Sequence, residues 1–273
     1  MKILYCIPDN ENPFWKQVVS GVEGKAKAEN ASVEVVGAAH DEKKQKEQLE
    51  AALQNRADAV LVSPVQTKTI AAVCKAIRDA GIPIVAVDQN LTTDVTASVI
   101  SGNMRGGTAA AQHFVQRLGI GKRLVHLQAE TGLENVALRR KSFVNEISRC
   151  GLRIVKEIQG FSSRRKAFEG MAAFLKEGAG FEGVFAENDA MALGAVDAMT
   201  DHIVTPWPPV VGFDGVPDAL AAIRAGKMEA TVAQNPAALG EKSVETAFKI
   251  IRGQAFDELT TVLPKLVTIK DLA

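Results

Sequence analysis

The sequence has 273 residues, more than the roughly 100 to 200 of an ordinary single domain, which points to one large or two modest α/β domains. Apolar residues make up 47% and charged residues 23%, a globular composition that excludes a disordered chain and supplies a core for each of two lobes. Thirty-two basic side chains balance thirty-two acidic ones, so no net field draws this segment to nucleic acid or to an anionic membrane.

Short β-branched runs alternate with helical patterns along the whole chain, the mark of repeated βαβ units around parallel sheets. A strand over 2–7 leads to a helix over 13–30, whose apolar stripe is Trp15, Val18, Val19, Val22 and Ala26, and Asn12 falls at the turn between them. Strands over 33–36, 59–62, 82–87 and 97–100 follow, with helices near 42–55 and 69–80 between them. The mixed charge run 41–47 reads as the solvated start of the first of these helices.

After Ser101-Gly102-Asn103 the pattern restarts with a helix from Gly106 and strands near 123–128, 154–159, 183–186 and 210–213. Helices near 134–149, 164–176, 190–199 and 217–225 separate or follow these strands. A strand over 230–233 feeds an amphipathic helix over 236–251, and 260–269 is extended and apolar. The expected fold is therefore α/β, with two doubly wound parallel-sheet lobes. No linker rich in Gly, Pro or Ser divides the halves, so short crossing segments suited to hinge motion are expected.

Cys6, Cys74 and Cys150 are odd in number and set in apolar patterns, and they read as small core or half-buried residues, not as a disulfide framework or zinc cluster. His40, His113, His126 and His202 show no metal-ligand spacing and sit beside no nucleophile, and His126 reads as a core or edge histidine. Gly119-Ile120-Gly121-Lys122 lacks the spacing of a phosphate loop, and the first strand-helix turn lacks a dinucleotide fingerprint, so no metal, no cofactor and no catalysis are expected. The apolar run after Met1 and Lys2 is too short for a signal-peptide core, and no run approaches about 18 apolar residues. The expectation is a soluble chain, either cytoplasmic or the mature form of a protein whose leader is missing.

Ligands of open α/β sheets bind outside the carboxyl ends of the strands. There the sequence places Asn12, Phe14 and Trp15, then Asp88 and Gln89, then Asn188 and Asp189, Asp214 and Gln234. Carboxylates and amides can grip adjacent hydroxyls while an aromatic ring covers an apolar C–H face, so the set suits a sugar. Capping of the next helix is the competing explanation for each Asp or Asn taken singly.

The motifs Asn12-Pro13-Phe14-Trp15, Ile82-Pro83 with Asp88, the run 187–194 beginning Glu187-Asn188-Asp189, Val211-Gly212-Phe213-Asp214-Gly215 and Ala230-Thr231-Val232-Ala233-Gln234 occur in an order and spacing that resembles the ribose-type periplasmic binding proteins. That family is shared by sugar-transport receptors and by effector domains of lactose-repressor-like regulators. The resemblance covers the whole length. It implies a first lobe of 1–102 plus 235–262, a second lobe of 103–234 plus 263–273, three hinge crossings and a ligand cleft between the lobes. It implies aromatic walls at Phe14 and Trp15 and hydroxyl-binding groups at Asn12, Asp88, Arg139, Asn188, Asp214 and Gln234, with Arg140 an adjacent competitor for Arg139.

Two departures bear on the ligand. Ribose binders resemble this chain except that arginine follows the strand-four aspartate, where this chain has Gln89. The resemblance implies a second aromatic contributed by the other lobe, whose position falls on Ser162 in this chain, with Phe161 one residue earlier, so that wall is displaced. The resemblance implies a monomeric receptor for a neutral monosaccharide or polyol, periplasmic or otherwise extracytoplasmic, delivering to the membrane permease of an ABC transporter or to a sensor. The alternative it allows is a cytoplasmic effector domain of a transcription regulator lacking its DNA-binding segment.

Overall fold

A computed structural model describes residues 1–55, 57–91, 94–131 and 134–272. The elements in chain order are β1 (Lys2–Ile7), α1 (Pro13–Ala28), β2 (Ser32–Gly37), α2 (Glu42–Gln54), β3 (Ala59–Val62), α3 (Thr67–Asp79), β4 (Ile84–Val87), β5 (Ala97–Ser101) and α4 (Asn103–Leu118). They continue as β6 (Arg123–Gln128), α5 (Glu134–Arg149), β7 (Arg153–Gln159), α6 (Arg164–Lys176), β8 (Gly183–Ala186), α7 (Asp189–Asp201) and β9 (Val210–Asp214). The chain closes with α8 (Pro217–Arg224), β10 (Ala230–Ala233), α9 (Pro236–Ile251), β11 (Leu259–Val262), β12 (Lys265–Thr268) and a 3-10 turn, Ile269–Asp271.

The chain forms two compact units, Met1–Ser101 with Asn235–Val262, and Gly102–Gln234 with Leu263–Ala273, Ala273 itself lying outside the described residues. The first holds a six-stranded sheet in the order β11-β5-β4-β3-β1-β2, parallel throughout. Its sheet is covered on both faces, as parallel sheets require. Along β1, Ile3, Tyr5 and Ile7 pack with Val18, Val22 and Leu239 of α1 and α9. Leu4 and Cys6 point the other way, to Leu49, Ile70 and Ile77 of α2 and α3.

The second unit repeats the plan in the order β12-β10-β9-β8-β6-β7. Phe114, Phe143, Phe185 and Phe213 dominate the core under α4 and α5, and Val125, Leu127, Met171 and Met191 the core under α6 and α7. Unlike the rest of the sheet, β12 runs antiparallel to β10. The extended tail 260–269 is thus not one element: Leu263 and Pro264 interrupt it, β11 joining the first sheet and β12 the second.

Other boundaries move for local reasons. The helix expected from Gly106 begins at Asn103, because the Gly106 N–H already donates to Gly102 O at 2.9 Å. The strand expected from 82 begins at Ile84, since Pro83 has no N–H to give a ladder. Helix α1 stops at Ala28, before Asn30 turns left-handed at φ 56°. Among the described residues no helix is long and apolar enough to cross a membrane.

Candidate functional site

In the first unit the carboxyl end of β1 runs into α1 through Asn12. Its Oδ1 accepts the Phe14 N–H at 2.9 Å, and Pro13 supplies a preset φ at the first helical position. The cap commits that oxygen and leaves the amide NH2 as a donor. The rings of Phe14 and Trp15 meet edge to face, 4.9 Å apart at 84°. Phe14 is buried in the core of this unit, whereas Trp15 is half-buried.

Asp88 follows β4 in a left-handed conformation, φ 69°, its N–H donating to Val99 O at 2.8 Å. Both Asp88 and Gln89 are buried. Tyr5 bonds Ser63 Oγ at 2.9 Å, and burial first, then the charge of Asp88, pushes its phenol above the usual range.

The second unit builds a denser arrangement at the same end of its sheet. The Arg139 guanidinium lies 3.4 Å from the centroid of the Phe213 ring and donates to Asn103 Oδ1 through Nε at 3.2 Å and Nη2 at 2.9 Å. Its Nη1 donates to the Glu187 carbonyl and stands 3.9 Å from Asp214 Oδ1. A planar fork held by stacking and by acceptors on two sides is fixed in orientation. Helices α4 and α5 must approach closely to set it there: a Cβ on Gly107 would lie 2.3 Å from the Arg139 carbonyl oxygen.

Arg140 turns elsewhere. It grips the fully buried Glu187 carboxylate through Nε at 2.7 Å and Nη2 at 2.8 Å, and His126 Nε2 and the Ala129 N–H complete the shell at 2.9 and 2.7 Å. Burial alone would raise Glu187, but the Arg140 and His126 hydrogen bonds outweigh it and hold the carboxyl at about 2.

Asp214 closes β9 at φ 123°, and Gln234 Nε2 donates to its Oδ1 at 2.6 Å. Behind it Asp189 is fully buried and accepts from Gly215 N–H, Val216 N–H and Thr231 Oγ1 at 2.8, 2.9 and 2.7 Å. Gly212 makes room for this carboxylate, since a Cβ there would lie 2.2 Å from Asp189 Oδ1. Burial pushes both carboxyls up; Asp214's charge raises Asp189 further, while Arg139 and Gln234 pull Asp214 down in part.

The structure therefore brings Arg139, Asp214 and Gln234 together. Asn188 caps α7, its Oδ1 accepting the Met191 N–H at 2.9 Å. Ser162, at φ 52°, bonds Glu130 Oε2 at 2.5 Å, and the exposed Phe161 beside it carries Lys166 Nζ 4.5 Å above its ring. Sequence reasoning set Asp189 among the strand-end residues and Glu187 in a family motif, but gave neither of them, nor Asn103, a task in orienting Arg139 and Asp214. Each stands directly after a predicted strand, in Ser101-Gly102-Asn103 or Glu187-Asn188-Asp189, and that position was the available signal.

The cluster offers fixed donors and acceptors at hydroxyl scale. Among the described residues no three His, Cys, Asp or Glu side chains gather as metal ligands.

Residues 3–255 match the family described as periplasmic binding protein domain. The ribose import binding protein of Bacillus subtilis (strain 168) is 32% identical over 260 residues, covering 95% of this chain and 84% of its own. A Caulobacter myo-inositol binding protein, solved with myo-inositol bound, has a TM-score of 0.91 at 28% identity, covering 100% of this chain and 94% of that one. An ABC transporter solute binding protein from Bacillus halodurans C-125, also with bound myo-inositol, has a TM-score of 0.91 at 25% identity, covering 99% and 96%. A family match across residues 3–255, on a fold that sets polar residues at the carboxyl ends of both sheets, makes this chain a member of the periplasmic binding protein family.

Proposed function

We propose that this protein is the solute-binding receptor of an ABC transporter and that it clamps one neutral monosaccharide or cyclic polyol. Its role is binding and not catalysis. The ligand engages Asn12, Phe14, Trp15, Asp88 and Gln89 of the first unit and Arg139, Ser162, Asn188, Asp214 and Gln234 of the second. It works outside the cytoplasm, where it hands the ligand to a membrane permease.

One observation carries the reading. Gln234 spends its amide N–H on Asp214, while its Oε1 is buried and has no hydrogen-bond partner. A buried acceptor without a donor costs about 1 to 3 kcal/mol, which a ligand hydroxyl recovers. Asp214 and Asp88 disfavour an anionic ligand, and the Arg139 charge, partly answered by Asp214, is too little for a phosphorylated sugar. The relatives named for ribose and myo-inositol support a polyhydroxylated ring as the ligand. Gln89, with fewer donors than an arginine and no charge, favours a ring other than ribose.

A ligand that touches both sets favours a closed form of the protein over an open one. A thermal-shift panel of monosaccharides, cyclic polyols and sugar phosphates tests the class, since a ligand at 100 times its dissociation constant stabilises by about 2.7 kcal/mol. Stabilisation by sugar phosphates alone overturns the neutral-ligand reading, and strongest stabilisation by ribose overturns the part played by Gln89. Small-angle scattering at saturation tests the clamp: the radius of gyration falls, and an unchanged value counts against it.

A further inference from the structure

A cavity in the second unit lies away from these residues. It holds about 740 Å³ and opens at the amino ends of β9 and β10, where Pro208, Pro209 and Glu229 precede the strands. Asp214 and Gln234 sit at the opposite ends of the same strands, roughly 13 Å away at about 3.3 Å per residue. The volume is that of a site for one drug-sized molecule.

Its lining has two characters. Trp207 is held in place by its indole N–H, which donates to Lys227 O at 3.1 Å, and by Lys227 Nζ 4.9 Å from its ring centroid, and with Pro208 and Ile223 it gives the cavity its apolar side. The other side is basic. Arg117 is paired with Glu229, Nε to Oε1 at 3.1 Å, but Arg224 and Lys270 have no ion-pair partner among the described residues. Asp271, next to Lys270, is already taken by Lys265 at 2.7 Å. His113 completes the cavity with a buried Nε2 that has no hydrogen-bond partner and stands 3.7 Å from Glu229. Two cations without an ion-pair partner beside an indole are the complement of an anion on a flat apolar body.

We propose that this cavity is a second ligand site, separate from the sugar site, for a small organic anion with a planar hydrophobic body, an aryl phosphate or carboxylate. The body lies against Trp207, and the anionic group is met by Arg224 and Lys270. The proposal does not rest on the sugar-receptor reading.

Phenyl phosphate is the probe, added to the ¹⁵N-labelled protein, with inorganic phosphate and benzyl alcohol as its two half-ligands. The chain has two tryptophans, so the indole N–H region carries two signals, and the Trp207→Phe variant identifies the one that belongs to the cavity. Phenyl phosphate is expected to shift the Trp207 signal with saturation, and each half-ligand to bind at least tenfold more weakly. The double variant Arg224→Ala/Lys270→Ala, both positions exposed, is expected to keep its melting temperature and to weaken phenyl phosphate at least tenfold. In Arg139→Ala, which removes the fixed charge of the other site, the affinity stays within twofold. An unmoved Trp207 signal, equal binding of benzyl alcohol, unchanged affinity in the double variant, or loss of binding in Arg139→Ala each overturns the proposal.

Discussion

The two units carry the same sheet plan yet hold their polar strand-end residues by different means. In the first, Asn12 is a helix cap, Phe14 and Trp15 are an edge-to-face pair, and Asp88 owes its placement to a left-handed residue after β4. Each is a local device within a few residues of its own strand. In the second, Arg139 is fixed by Asn103, Phe213 and Glu187, and Asp214 by Gln234, so residues far apart in sequence hold one another. A local device fails alone, while a buried network of charges fails as a whole, because removing one member strands the others in low dielectric.

The largest effect that contrast predicts is at Glu187. Glu187→Ala leaves Arg140, His126 and the Ala129 N–H without their common acceptor, and breaking such a buried pair costs about 3 to 5 kcal/mol. Urea unfolding of the variant reads the loss directly, and a change under 1 kcal/mol would show that the two units are held alike. The same group sets a pH window. Its carboxyl is held at about 2 in the folded chain against an ordinary 4.5, so its stabilisation is complete above about 4.5 and disappears as pH falls towards 2. At 1.36 kcal/mol per unit that amounts to ~3 kcal/mol, visible as a steep drop in melting temperature across that window.

Next come the residues proposed to meet ligand. Arg139→Ala and Asp214→Ala are each expected to weaken sugar binding by 1 to 3 kcal/mol, or about 5- to 150-fold, with the fold retained. Calorimetry beside circular dichroism separates the two properties. Both variants folded and binding with unchanged affinity would mean that the second unit's cluster is structural only.

Acidification distinguishes Asp214 from Glu187 by its sign. Burial raises Asp214, so its carboxylate protonates at a higher pH than an ordinary aspartate, and an affinity that needs the anion declines as pH falls through that raised value. The stability contribution runs the other way: a raised group stabilises the fold at low pH and loses that contribution as pH rises through its folded value. Affinity titrated between pH 7 and pH 4 is expected to fall before the Glu187 window opens, and an affinity flat down to pH 4 would remove Asp214 from contact with the ligand.

The smallest effect belongs to the first unit. Asn12→Ala loses one cap, about 1 kcal/mol, and among the described residues no other hydrogen bond uses that oxygen. A loss above 3 kcal/mol would show that the first unit also carries a network. An Asn12→Ser variant, which restores a capping oxygen without the amide, is expected to recover the stability and not the ligand affinity.

Much of this architecture was legible in the linear pattern, and the parts that were not share a cause. The unbroken apolar run Ile3-Leu4-Tyr5-Cys6-Ile7 reads as a strand, and its burial on both faces follows because side-chain direction alternates wherever the strand goes. The order of strands and helices, and the polar residues that follow strands, are properties of neighbours in sequence. Capping and site roles were left open for Asn12 and Asn188, and both do cap their helices.

By itself, then, the sequence determined the two α/β halves, the family motifs and the set of polar residues at the strand ends, since each depends on local period and spacing. Only the tertiary structure set Arg139 and Arg140 apart: neighbours on a helix point about 100° apart, and it is the packing of α5 that aims one at Phe213 and Asp214 and the other at the Glu187 carboxylate. It alone decided that the tail splits into β11 and β12, and that β12 runs antiparallel, because a strand's partner and direction are set by an edge supplied from far along the chain. The orienting roles of Asn103, Glu187 and Asp189 arise for the same reason: a side chain becomes part of a site through what distant residues bring to it.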